Sequence, residues 1–119
     1  MVVILGSKWE FRTVPTNEEM YDAADKLKDQ GKLDEAIALL NELLAQDASY
    51  TLAHRALAVL YGRVKKHDDA IRHALIACQQ EPNDAFSYTA LSVTYVRAGK
   101  IQEAEDAKAR AHTLSGHRH

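Results

Sequence analysis

Residues 31–37 read Gly31-Lys32-Leu33-Asp34-Glu35-Ala36-Ile37, and the run returns as Gly99-Lys100-Ile101-Gln102-Glu103-Ala104, with a relative between them at Lys65-Lys66-His67-Asp68-Asp69-Ala70-Ile71. Ala36, Ala70 and Ala104 stand 34 residues apart, each behind an acid. A fixed period of this length marks a stack of like supersecondary units. Three blocks follow without insertion, beginning at Asn17, Thr51 and Ala85.

Counting places within a block, the eighth holds Ala24, Ala58 and Ser92, all small. The eleventh holds Leu27, Tyr61 and Tyr95, all large. The fourth (Met20, His54, Tyr88) and seventh (Ala23, Leu57, Leu91) fall on the same face at helical spacing. Each block therefore opens with an amphipathic helix. Glycine at 31 and 99 can take the left-handed conformation that ends it, whereas Lys65-Lys66-His67 has no glycine to help. A second apolar stripe then runs through Leu33, Ala36, Ile37, Leu40, Leu43 and Leu44, and through Ala70, Ile71, Ala74, Leu75, Ala77 and Cys78. Six helices are predicted, at about 18–30, 33–46, 52–64, 68–80, 86–98 and 102–114. Thr16-Asn17-Glu18-Glu19 fits a capping box just after Pro15. Pro82 in Glu81-Pro82-Asn83-Asp84 stops the fourth helix.

Composition agrees. Two prolines, five glycines and a hydrophobic fraction of 46% describe a helix-prone chain that folds in water. The length of 119 residues suits one domain. A net charge of −2 offers no field for nucleic acid or an anionic bilayer. Cys78 is alone and forms no internal disulfide, which points to a reducing, cytoplasmic setting. The opening Val2-Val3-Ile4-Leu5 run is too short and too quickly followed by Lys8-Trp9-Glu10 for a signal peptide or a membrane span.

Small residues at eight and twenty, an aromatic at eleven, the glycine turn, Asp34-Glu35-Ala36-Ile37 and the Glu81-Pro82-Asn83-Asp84 end together resemble the tetratricopeptide repeat family, from Asn17 to about Leu114. Met20 departs from the family's tryptophan, and Ala48 and Gly116 from its proline. The resemblance implies an all-α fold, a right-handed α-solenoid of three antiparallel helix hairpins. It divides the chain into a leader 1–16, repeats 17–50, 51–84 and 85–114, and a flexible tail 115–119. Lys108, at a place held by Leu40 and Ala74 in the other blocks, suits an array with no fourth repeat to cover it.

The family also implies a concave surface lined by the first helix of each hairpin, and a role as a protein-interaction scaffold rather than an enzyme. Carried over place by place, that surface holds Tyr21, Asp25, Arg55, Val59, Arg63, Phe86, Thr89, Val93 and Arg97. The expectation is a peptide lying across it, with Arg55, Arg63 and Arg97 pairing acidic groups. The alternative for Val59 and Val93 is ordinary packing. The first block carries a net −6, the second +1 and residues 85–119 carry +2, so the groove is acidic at one end. The clamp that some family members use to hold a partner's terminal carboxylate is missing, since its places carry Tyr21, Asp25, Ala56, Phe86 and Ala90. The competing readings are a homo-oligomer built through the leader or the last helix, and a chaperone or adaptor dedicated to one client.

No nucleophile with a base and no phosphate loop is found, so no catalytic residue and no cofactor is assigned. His54, His67 and His73 read as belonging to separate turns, without zinc spacing, so no metal site is assigned. Cys78 reads as a buried small hydrophobe. The apolar leader, with Trp9 and Phe11, is left to pack on the first hairpin, to form a short strand or to mediate self-association.

Overall fold

The computed structural model describes residues 2–5, 10–13 and 15–116. Two strands, β1 (Val2–Leu5) and β2 (Glu10–Thr13), pair antiparallel with Val2 opposite Thr13 and Leu5 opposite Glu10. The leader thus forms a strand pair ahead of the helical array. Six helices follow: α1 (Asn17–Asp29), α2 (Leu33–Gln46), α3 (Thr51–Arg63), α4 (His67–Gln80), α5 (Ala85–Arg97) and α6 (Ile101–Gly116).

The first helix of every hairpin starts one residue before its expected position, and ahead of α1 and α5 the preceding residue, Thr16 or Asp84, caps it. Thr16 accepts from the Glu19 amide at 3.1 Å while the Glu19 carboxylate accepts from the Thr16 amide at 2.9 Å, completing the capping box. Asp84 accepts from the Phe86 amide at 3.0 Å. At the other end, α6 runs two residues beyond the expected 114, so Ser115 and Gly116, expected in the tail, are helical. Residues 117–119 of that tail lie outside the described residues.

All three hairpin turns share one design. The residue after the cap has positive φ, and its amide and the next one donate back into the helix. Gly31 (φ 78) donates to Lys28 and Lys32 to Leu27, both at 2.9 Å. Gly99 (φ 78) and Lys100 repeat this on Val96 and Tyr95. These are Schellman turns, which satisfy the last carbonyls of the helix. The middle turn makes the same bonds with Lys65, a side-chain-bearing residue, at φ 64.

Place twenty meets place eight inside each hairpin. Ala36 and Ala70 are completely buried and Ala104 nearly so, against Ala24, Ala58 and Ser92, and the Ser92 hydroxyl donates to the Ala104 carbonyl at 2.8 Å. Each helix then packs on its neighbour in sequence, and α3 also packs on α5. The apolar residues gather in two clusters. Leu40, Leu43, Leu57 and Leu60 fill the first, between the first and second hairpins. Ala58, Ala74, Cys78, Leu91 and Ala107 form the second, between the second and third.

Candidate partner-binding groove

Helices α1, α3 and α5 line one side of the array. On α3 and α5 the outward stripe carries Leu52, Val59, Phe86, Val93 and Val96, all exposed, with Phe86 at 65% and Val93 at 47%. Val59 and Val93 thus both reach the surface, Val59 at 38% exposure. Thr89, Arg63, Arg97 and Asp25 are exposed beside them, and Tyr21 is half-buried against Tyr50.

While α3 rests on α5, a cleft of about 230 Å³ lies between α1 and α3. Tyr21, Leu52, Val59 and Phe86 form its walls, Ala24, Leu40 and Leu60 its floor, and Asp25, Lys28 and Arg55 its polar edge. It is smaller than the usual pocket for a drug-sized ligand and matches the bulk of one or two apolar side chains. Lys28 is bound to Asp25 at 2.9 Å, and that hydrogen bond raises its pKa against burial and the nearby Arg63 charge.

Arg55 corrects the sequence reading. Instead of standing free for a partner's acid, its Nη2 meets Glu81 at 2.7 Å, Ser87 Oγ at 2.7 Å and the Asp84 carboxylate, while the guanidinium lies over the Phe86 ring at 5.3 Å. Burial pushes the Asp84 carboxyl up, but the Phe86 amide, Arg55 and Ser87 outweigh it and hold it below the ordinary value. One side chain of α3 thereby ties down the cap of α5 and holds Phe86 at the cleft. The partners lie 26 to 32 residues away in sequence, and nothing local marks them.

A second correction concerns histidine. His54 and His73, read as belonging to separate turns, meet inside the second hairpin, both buried, with Nδ1 to Nδ1 at 2.9 Å. His54 Nε2 lies 2.9 Å from the Ala48 carbonyl, which can only accept. His54 in neutral form therefore carries its proton on Nε2, and its Nδ1 accepts a hydrogen bond from the Nδ1–H of His73. His73 Nε2 is then a buried acceptor without a partner, and its ring stacks on Tyr61 at 5.6 Å. Burial, helped by Arg72 and His54, pushes His73 down to about 4. A proton fills the gap between the facing nitrogens, and among the described residues no third metal-ligating side chain joins them.

Cys78 is buried on α4 of the same hairpin, and burial pushes its thiol up to about 11, far from nucleophilic at neutral pH. Among the described residues no helix is long and apolar enough to cross a membrane.

No family model and no curated protein matches the sequence. Among solved structures, that of MamA aligns with a TM-score of 0.79 at 20% identity, over 87% of this chain and 60% of the MamA chain. SycD, a type III secretion translocator chaperone of Yersinia enterocolitica, aligns with 0.79 at 18% identity, over 89% and 80%. The first TPR of Spaghetti (RPAP3), bound to an HSP90 peptide, aligns with 0.76 at 22% identity, over 82% and 78%. The chain thus spans 60% of the MamA chain that it matches. Its fold is that of a tetratricopeptide-type helical solenoid.

Proposed function

We propose that this chain is a non-enzymatic interaction module that holds a peptide or a segment of a partner protein along the face of α1, α3 and α5. The observation that carries the reading is the placement of exposed apolar residues. Of the seven large hydrophobic side chains exposed between residues 15 and 116, five sit on α3 and α5, and three of these, Leu52, Val59 and Phe86, line the cleft. A contiguous apolar patch of this kind, rimmed by charge, is the surface of a binding site. The RPAP3 repeat, solved with an HSP90 peptide, supports peptide capture on this type of solenoid. The carboxylate clamp is absent here, since Tyr21 and Asp25 line the cleft at two of its places.

The test is selection of a random phage-displayed library of about 12-residue peptides on the full chain. Recovered peptides are expected to bind the wild type and to lose at least tenfold in affinity on the Val59→Asp/Val93→Asp double variant, whose helical circular dichroism stays unchanged. Recovery of no peptide, or of peptides indifferent to that variant, rules the groove out. A dimer in light scattering that the same variant dissolves assigns the face to self-association instead.

A further inference from the structure

The cleft between α1 and α3 has an apolar interior and a charged surround, and the charges there are unevenly matched. Both of its own cations are engaged. Lys28 lies 2.9 Å from Asp25 and 4.0 Å from Asp29, and Arg55 is held by Glu81 and Asp84, so carboxylates outnumber each of them. The imbalance grows at the end of the cleft where the Tyr21 ring meets Tyr50, with centroids 6.1 Å apart. Burial raises the Tyr50 pKa, and the nearby carboxylates of Glu18, Asp22 and Asp47 raise it further. Asp47 accepts from the neutral donors Asn17 Nδ2 at 3.0 Å and Ser49 Oγ at 2.6 Å. Glu18 and Asp22 are exposed, and between residues 15 and 116 no base pairs with them. The helix dipole accounts for Glu18, in the first turn of α1. It does not account for Asp22 one turn later, and it disfavours Asp47 at the C-terminus of α2.

Building on the groove reading, we infer that this cleft anchors a partner peptide in which a lysine or arginine directly neighbours a large apolar residue. The apolar side chain fills the cleft between Tyr21, Leu52, Val59 and Phe86. The cation lies beside Tyr21, among Glu18, Asp22 and Asp47. Cleft volume selects the first side chain, and charge complementarity selects the second. The partner's charge is thus opposite to the one expected while Arg55 was read as a free cation of the groove, because Glu81 and Asp84 already occupy that guanidinium.

The peptides recovered from the library decide the matter. Those selected on the wild type are expected to be enriched in Lys or Arg next to an aliphatic or aromatic residue, and to bind more weakly as salt rises. Replacing that cation by alanine in a recovered peptide is expected to cost roughly tenfold in affinity on the wild type and roughly threefold or less on Glu18→Gln/Asp22→Asn. Replacing its apolar neighbour by alanine is expected to cost roughly tenfold on both proteins. Peptides that are lost on Val59→Asp/Val93→Asp but show no basic enrichment, or whose cation matters equally on both proteins, overturn the anchor and leave the groove standing. Peptides indifferent to the valine changes overturn both. Unchanged circular dichroism of Glu18→Gln/Asp22→Asn guards against misfolding, since both side chains are exposed.

Discussion

The second hairpin differs from its two neighbours at the places where the repeat is otherwise most regular. Its turn places Lys65 where the others have Gly31 and Gly99. At places four and twenty-three it buries His54 and His73, where the first hairpin has Met20 and Leu39 and the third has Tyr88 and Ala107. It also sends Arg55 across to the cap of the next helix. The outer hairpins are held by apolar packing and glycine turns; the middle one accepts a strained turn and a buried polar pair at the centre of the array. In a solenoid, stability is close to a sum of units and of the interfaces between them, so a weakened central unit uncouples its neighbours.

The largest effect expected from this contrast is on acid stability. A histidine that titrates at about 4 in the folded chain and near 6.5 when unfolded binds its proton more tightly in the unfolded state. The stability associated with neutral His73 is complete above about pH 6.5 and is lost as pH falls toward 4, by about 3 kcal/mol in all. Denaturant titrations at pH 7 and pH 4.5 measure it. The His54→Met/His73→Leu double variant, which copies the first hairpin, is expected to remove most of the pH-dependent loss across that window. An equal loss in both proteins would show that carboxylates elsewhere govern acid unfolding and that the middle hairpin is not special in this respect.

Next in size is the Arg55 tether. Arg55→Met keeps much of the stem but leaves Asp84 and Ser87 without their cation, and is expected to lower stability by about 1–2 kcal/mol at pH 7. Because Asp84 titrates below its ordinary value when folded, that difference should narrow as pH falls from the ordinary carboxylate range through the lower value of the folded chain, below which the acid is neutral in both states. A difference that persists at low pH would assign the effect to packing on Phe86 rather than to the ion pair.

The smallest effect concerns the turn. Lys65→Gly is expected to raise stability by about 1 kcal/mol by removing the strain of a side chain at positive φ, whereas Gly31→Ala, with no atom near the added methyl, is expected to lower it by a similar amount. Thermal melts of the two variants give the answer directly. If Lys65→Gly is neutral, the middle turn is not a weak point.

Much of the architecture was legible in advance because repeats state their own register. Three alanines 34 residues apart, with a large residue always at place eleven, define hairpins whose faces are set by helical periodicity alone. The same register predicted which residues share the face of α1, α3 and α5, since places on one helix face are fixed by spacing. Partnerships were less legible. Arg55 read as a groove cation because nothing local marks Glu81, Asp84 and Ser87 as its partners across the next hairpin. His54 and His73 read as unrelated for the same reason, being brought face to face only when α3 closes on α4.

The sequence by itself therefore determined the number of hairpins, their order, the closely packed small residues and which residues share the face of the first helices, because these follow from short-range periodicity and from the steric needs of turns. The tertiary structure alone decided which charges on that face are free and which buried polar groups share a proton. Those depend on distances between side chains far apart in the chain, as the ties of Arg55 to Glu81, Asp84 and Ser87 show.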